Sequence, residues 1–176
     1  MAVLIEAISV VIRVEAIHSR YPGGWQAFSE AVPNNTLCSD NELARVGFMT
    51  PDDVRAFTEG LESVGIIHLT DGHCQDAVVI DQMRGFLNPC DWVEYGHVEL
   101  VQGQKIAAAQ MKGSETHQVF CPDGWKYESS LTRNFGFVPT GKEKQSLKFL
   151  RREGGQDVYL NLLTGKEVFV ARTASD

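Results

Sequence analysis

The sequence predicts an α+β fold, with helices and strands mixed in the N-terminal part and antiparallel strands in the remainder. Before residue 65, stretches with helical apolar spacing lie between β-branched runs, whereas the later chain breaks into short apolar runs separated by turn residues. The 43% hydrophobic and 22% charged residues are typical of a folded globular chain. With 176 residues, the chain can bury a continuous core without disulfides or a metal.

The first predicted strand covers residues 4–14, because β-branched side chains dominate this stretch. Residues 1–12 are apolar enough to raise the question of a signal peptide or a membrane span. No basic residue precedes the run, Glu6 interrupts it, and Arg13 ends it far short of the ~20 apolar residues that a span requires. A buried strand is therefore the better interpretation.

Two short helices and a hairpin are predicted next. Residues 15–21 and 24–32 have helical spacing, and a proline and two glycines separate them. Residues 36–39 and 43–49 flank a two-residue turn signal, which predicts a hairpin.

The strongest local signal predicts a helix from Thr50 to Val64. Thr50 can cap the helix, Pro51 occupies the first helical position without losing a needed donor, and two aspartates follow in the first turn. Gly65 suits the left-handed residue at the end of a helix. The buried stripe has 3, 4, 3 spacing and consists of Val54, Phe57, Leu61 and Val64.

A strand at residues 66–70 would complete the order strand, helix, strand, strand, helix, strand over about residues 1–70. This order resembles a ferredoxin-like βαββαβ unit, and regulatory amino-acid-binding domains are one family with this topology that it looks like. Residues 77–80 could extend the same sheet. Farther along, residues 147–152, 158–162 and 167–170 predict an antiparallel meander.

Two parts are therefore expected, packed together as one compact domain. Residues 1–80 would contain the βαββαβ unit, and residues 81–176 would be the strand-rich part.

Charge and cysteine usage restrict the function classes. The net charge is −7 and the pI about 5.2, with nine carboxylates against four arginines before residue 66. The phosphate-neutralising charge that nucleic acids or anionic membranes require is missing there. The four cysteines form no CxxC pair, which predicts free thiols in a reducing compartment, most simply the cytoplasm.

Residues 136–142 match the first seven positions of a phosphate-binding loop. Glu143 stands at the eighth position, where Ser or Thr would bind magnesium, and an acid there would repel phosphate. A surface turn is the preferred interpretation.

The spacing of histidines and cysteines raises two alternatives, a metal site and a nucleophilic site. His68, His73 and Cys74 lie close along the chain, and Cys90 or His97 could complete a tetrahedral set, but the spacing belongs to no known zinc signature. No metal or other cofactor is predicted. A nucleophilic site would pair Cys90 with His97, oriented by Asp91 or Glu94, whereas inert packing is the usual role of a free cysteine.

The densest polar stretch follows the apolar run at residues 77–80. It combines acids, amides, an arginine and large aromatics in a segment where glycine and proline disfavour regular structure. The candidate binding residues are Asp81, Gln82, Arg84, Cys90, Asp91, Trp92, Glu94 and Tyr95. The alternative is an irregular connection held by a buried Trp92 and a salt bridge of Arg84.

The basic residues near the C-terminus form one cluster along the sequence: Lys142, Lys144, Lys148, Arg151 and Arg152. Alternation along a strand would divide them between two faces, so a solvated surface is expected. The alternative is a docking patch for an acidic partner or for the acidic half of a second copy.

Two functional hypotheses follow. The first is a small acidic cytoplasmic protein that binds another protein or a second copy of itself, as a regulatory or immunity-like module with a basic partner would. The second is a small-ligand-binding domain or enzyme whose cleft is lined by Asp81, Cys90, Asp91 and His97. The lack of a catalytic signature favours the first.

Overall fold

The computed structural model describes residues 1–100, 103–115, 118–134, 147–153, 156–161 and 167–171. The helices are α1 (Val14–Arg20), α2 (Gly24–Ala31), α3 (Pro51–Ser63) and α4 (Leu131–Asn134), with a 3₁₀ turn at Tyr127–Ser129. The strands are β1 (Ala2–Ile5), β2 (Ile8–Arg13), β3 (Cys38–Ser39), β4 (Leu43–Phe48), β5 (Leu69–Thr70), β6 (His73–Cys74), β7 (Ala77–Asp81), β8 (Gly85–Phe86), β9 (Val93–Glu99), β10 (Lys105–Met111), β11 (Val119–Phe120), β12 (Leu147–Glu153), β13 (Gln156–Asn161) and β14 (Glu167–Ala171). The predicted α+β class, rich in antiparallel strands, is confirmed.

Two sheets and a helical layer stack on one another. An antiparallel five-stranded sheet has the order β3-β4-β2-β7-β8, and a four-stranded sheet has the order β11-β1-β10-β9. Along β2, Val10 and Ile12 face a core shared with the helices, whereas Val11 faces a core shared with the second sheet. The five-stranded sheet is therefore covered on both faces, which explains why β2 is buried from Ile8 to Ile12.

Residues 4–14 do not form one strand, contrary to the sequence-based prediction. The chain turns at Ala7, whose φ is 50°, and passes from the four-stranded sheet into the five-stranded one. Gln82 holds this turn, since its backbone N–H donates to the Ala7 carbonyl and its Oε1 accepts from the Ala7 N–H, both at 2.8 Å. Both strands are buried on both faces, so mostly apolar residues lie on each side of the break and Glu6 is the only polar residue within it.

The strand predicted at residues 66–70 does not join the five-stranded sheet; β7, later in the chain, takes that place. Only Leu69–Thr70 is extended, and it pairs with β6 in a two-stranded ribbon, whereas β7 pairs with β2. The Ile67 N–H donates to the Asp76 carboxylate at 2.9 Å instead of joining a sheet. Arg20 forms an ion pair with the same carboxylate. The proposal that residues 77–80 extend the first sheet is confirmed.

Several local predictions are confirmed. The Thr50 hydroxyl caps α3 by accepting from the Asp53 N–H at 3.2 Å, and Gly65 has a φ of 88°. The hairpin of β3 and β4 pairs Cys38 with Arg45. The meander is present as β12-β13-β14.

A buried arginine lies between the sheets. Arg45 is 1% exposed and donates to the Ser9 hydroxyl at 3.0 Å and to the carbonyls of Thr36 and Glu6 at 3.1 and 3.2 Å. Burial lowers the pKa of its guanidinium, and the nearby thiol and carboxylate groups oppose that change. At Gly47, a Cβ would lie 2.5 Å from Arg45 Nη2, so glycine supplies the room for the cation.

The predicted division of the chain into residues 1–80 and 81–176 stays a prediction. A strand of each part contributes to the same sheet, because β1 pairs with β10. Residues 136–142 and the lysines at 142 and 144 lie outside the described residues. Lys148 is exposed, Arg151 forms an ion pair with Glu167 at 2.9 Å, and Arg152 lies in β12. In the part of the chain that the structure describes, no helix is long and apolar enough to cross a bilayer.

Candidate functional site

The segment of residues 81–95 contains the end of β7, a tight turn, the edge strand β8 and the connection to β9. Asp81 shapes the turn because its Oδ1 accepts from the N–H groups of Met83 and Arg84 at 2.8 and 3.0 Å. Gly85 follows with a φ of 79°, which a side chain would strain. The turn therefore holds Arg84 at the end of the five-stranded sheet.

Three of the predicted binding residues make internal contacts instead. Gln82 is 2% exposed and holds the turn at Ala7. Trp92 is 9% exposed, and its Nε1 donates to the Cys74 carbonyl at 3.2 Å. The Tyr95 hydroxyl donates to the Gln82 carbonyl at 2.7 Å. These side chains fix the segment from within, as the alternative of a buried Trp92 anticipated.

Arg84, Asp91 and Glu94 are exposed. Glu94 accepts from the amide of Gln110 at 3.0 Å. The salt bridge considered for Arg84 is not formed with any described residue. Arg84 is thus held at its backbone while its guanidinium remains available.

Exposed apolar side chains that do not belong to the predicted set lie in the same segment. Met83, Phe86 and Leu87 are 42%, 36% and 52% exposed, and together they surround the edge strand β8. Phe86 packs edge-on against Tyr95 at a centroid distance of 6.2 Å. The sequence already shows three large apolar residues within five positions of a predicted surface loop. A contiguous apolar patch on a surface is a common mark of an interaction site, so this pattern could have indicated one.

A groove of about 390 Å³ lies between α3 and the β7–β8 hairpin, and we call it the α3–β8 groove. Its walls are mostly apolar, with charged groups among them. The lining residues are Ile8, Pro51, Val54, Arg55, Thr58, His68, Val79, Asp81, Arg84, Leu87 and Asn88. Leu87 therefore faces the groove, whereas Phe86 contacts Tyr95 outside it.

The charges of the groove are only partly compensated. Arg55 lies 3.9 Å from the highly exposed Asp52, a pair of little energetic value. Asp81 already accepts two backbone N–H groups. Burial lowers the pKa of His68, partly opposed by Glu62, and the buried Nε2 of His68 has no hydrogen-bond partner among the described residues. The neutral imidazole of His68 and the guanidinium groups of Arg55 and Arg84 therefore lie among the apolar walls of the groove.

Cys90 does not lie beside His97, the partner that a nucleophilic site would need. The Cys74 thiol and the backbone N–H groups of Trp92 and Val93 lower the pKa of the Cys90 thiol, which partial burial opposes. His97 lies four residues beyond Val93 on β9, roughly 13 Å along the strand. It lines a separate cavity of about 380 Å³, together with Gln82 and Lys105. The structure does not bring Asp81, Cys90, Asp91 and His97 to one of the described cavities.

The ribbon of β5 and β6 places Thr70 opposite His73 and Leu69 opposite Cys74. His68 is therefore not opposite His73. Within the described ranges, no group of three or more His, Cys, Asp or Glu side chains is arranged to hold a metal ion.

The largest described cavity lies in the helical layer, between α2 and α3. We call it the helix-layer cavity; its volume is about 580 Å³, and its walls are Tyr21, Phe28, Ala31, Val32, Pro33, Asn34, Phe48, Asp53, Ala56, Phe57, Gly60 and Leu61. A Cβ at Gly60 would meet no atom within 4 Å. This cavity could not be predicted from the sequence, because its walls come from elements that only the fold brings together.

Comparison of the chain with protein-family models, with curated proteins and with solved structures found no match.

Proposed function

We propose that this chain is a protein-binding, regulatory module that takes up an extended segment of a partner protein along the outer edge of β8. The observation that carries the proposal is the exposure of Met83, Phe86 and Leu87 around that edge. Removing such side chains from water on binding stabilises a complex by about 25 cal/mol per Å² of apolar surface, before the costs of association.

The hydrogen-bonding pattern of β8 favours an added strand. The Leu87 N–H donates to the Val79 carbonyl at 3.2 Å, and Phe86 lies opposite Ile80. Because backbone groups alternate in direction along an antiparallel strand, the N–H and carbonyl of Phe86 point outward. A partner segment can pair with them, and its alternate side chains would then enter the α3–β8 groove and pack on Phe86.

The charges of the groove favour a carboxylate on that segment. Arg84 and Arg55 both line the groove, and a guanidinium binds a carboxylate with two parallel hydrogen bonds. The net charge of −7 instead favours a basic partner, as an immunity-like protein would have. We give the charges of the groove more weight than the net charge of the chain. Salt screens an interaction at contact distance less than it screens the field of distant charges.

Two further assignments belong to this proposal. The ferredoxin-like classification is supported by the strand order β3-β4-β2-β7 and by the helices that cover one face of the sheet. The cytoplasmic location is supported by the four cysteines, all of which are free thiols.

A random linear peptide library, displayed and selected on the purified protein, tests the proposal. We expect enriched sequences with alternating apolar residues and an Asp or Glu at one fixed position. Leu87→Asp should abolish the enrichment, and Arg84→Glu should remove the acidic preference. Leu150→Asp is the matched control, since Leu150 is an exposed leucine on another strand.

Selection of no sequence above background would overturn the docking proposal. A basic consensus that survives Leu87→Asp would show that the acidic surface elsewhere, and not β8, binds the partner.

A second candidate function is small-ligand binding in the helix-layer cavity. Its size lies in the range of small-molecule sites, and aromatic side chains line it. Glycine inside a helix costs about 1 kcal/mol relative to alanine, so Gly60 keeps this space open against helix propensity. Ligand-observed NMR with an aromatic fragment library should show binding that Gly60→Leu abolishes and Gly60→Ala largely keeps. Equal binding by Gly60→Leu would exclude this cavity.

A further inference from the structure

We propose that Cys74 and Cys90 form a peroxide-reactive dithiol that closes to an intramolecular disulfide. The site is separate from the α3–β8 groove, and the inference does not depend on the proposed function.

Backbone contacts hold the two cysteines together. The Cys74 N–H donates to the carbonyl of Pro89, the residue before Cys90, at 2.9 Å. The Trp92 indole donates to the Cys74 carbonyl at 3.2 Å, so the chain is fixed on both sides of Cys90. The Cys74 thiol donates to the Asn88 carbonyl at 3.8 Å, so both the backbone and the side chain of Cys74 contact the segment that leads into Cys90. A disulfide would therefore link two segments that already lie against each other.

The surroundings of Cys90 favour its thiolate. The Cys74 thiol, the backbone N–H groups of Trp92 and Val93 and the Arg13 guanidinium all stabilise the charged form of its sulfur. Arg13 is held in place over the Trp92 ring, 4.5 Å from its centroid. These contacts lower the pKa of Cys90 to about 7, although partial burial opposes them. Half-buried Cys90 can meet a small oxidant, whereas Cys74 is 6% exposed.

The roles of the two sulfurs follow from these differences. The Cys90 thiolate attacks one oxygen of hydrogen peroxide, the O–O bond breaks, and a sulfenic acid forms as hydroxide leaves and is protonated to water. The Cys74 sulfur then attacks the Cys90 sulfur, an S–S bond forms, and the sulfenic hydroxyl leaves as a second water with the Cys74 proton. Two thiols lose two electrons, and one peroxide is reduced to two waters.

The other two cysteines lack this environment. Burial raises the pKa of Cys38, which is 6% exposed, and burial with nearby negative groups raises the pKa of Cys121 to about 11. Both thiols stay protonated at neutral pH and react slowly. Oxidation is therefore expected at Cys90 first.

Peptide mapping tests the inference directly. Arg84 lies between the two cysteines, and trypsin places each of the four cysteines on its own peptide. After brief peroxide treatment of the full chain, we expect the Cys74 and Cys90 peptides to be joined and the free thiols to fall from four to two. Dithiothreitol should reverse both changes.

Two variants and a control assign the roles. Cys74→Ser should leave a sulfenic acid on Cys90 that dimedone traps, and Cys90→Ser should remove peroxide reactivity from both positions. Cys121→Ser should still form the linked peptides. On the unmodified wild type, the rate of iodoacetamide alkylation at Cys90 should rise with pH around a midpoint near 7.

The inference is wrong if peroxide joins other cysteines or none while Cys90 is alkylated no faster than Cys121. The alkylation and peptide-mapping experiments use wild-type protein, so a variant that fails to fold cannot leave the question open.

Discussion

At the scale of single residues, several polar side chains are buried in the interior. The alternation of residues along a strand is not enough to predict their burial. Arg45 alternates with Ala44 and Val46 along β4, so its face could be predicted from the sequence. Its acceptors could not, because the Ser9 hydroxyl and the Thr36 carbonyl come from distant parts of the chain. The same limit applies to Cys90, whose partner Cys74 lies sixteen residues earlier, on a separate ribbon.

Gly47→Ala should destabilise the protein by about 1–3 kcal/mol, because the added methyl group would displace the guanidinium of Arg45. Denaturant unfolding measures the change. Gly96→Ala is the control, since a Cβ there meets no atom within 4 Å. If both variants unfold together with the wild type, the space at Gly47 is not required by Arg45.

His68 makes the stability of the fold depend on pH. Burial lowers its folded-state pKa, so below the ordinary value of about 6.5 the unfolded chain binds a proton that the folded chain does not. Stability should therefore fall as the pH drops from 7.5 to 5.5, and less steeply in His68→Gln. Urea unfolding at both pH values provides the comparison; parallel losses would assign the effect to other groups.

At the scale of elements, those with local start and stop signals were predicted almost to the residue. α3 begins at Pro51 and has its left-handed residue at Gly65 because the capping residue, the proline and the glycine act within the segment itself. The break between β1 and β2 was not predicted. It depends on which of two sheets each half joins, and both halves are buried.

Thr50→Ala should lower the free energy of unfolding by about 1 kcal/mol, because the Asp53 N–H would lose its acceptor. Thr50→Ser keeps the hydroxyl and should recover most of that loss. Circular dichroism during denaturant unfolding reports both values, and an alanine variant as stable as the serine variant would contradict the capping role.

Truncation should destabilise the protein more at a fully buried position of α3 than at a half-buried one, although both positions line the helix-layer cavity. Leu61 is 2% exposed, so Leu61→Ala should cost about 2–5 kcal/mol. Phe57 is only half-buried, packs on Phe48 at a centroid distance of 5.0 Å and lines the helix-layer cavity, so Phe57→Ala should cost less than the ~3–5 kcal/mol of a fully buried ring. A larger loss for Phe57 would mean that the cavity is closed in solution.

At the scale of the whole molecule, one face of the five-stranded sheet is covered by helices and the other by the second sheet, which leaves the β8 edge open among the described strands. The candidate site at residues 81–95 stays a prediction, and the sequence pattern drew attention to its polar residues. Trp92 and Gln82 turned out to be internal supports, since burial is a property of the assembled layers. The apolar side chains around β8 carry the present proposal instead.

The central claim is that this open edge binds a carboxylate-bearing segment of a partner. Isothermal titration calorimetry with a synthetic copy of the selected peptide tests it most directly. Leu87→Asp should weaken binding by about tenfold or more, and Arg84→Ala by roughly fivefold, without a change in melting temperature. Leu150→Asp should bind like the wild type. Wild-type affinity in both Leu87→Asp and Arg84→Ala would contradict the claim.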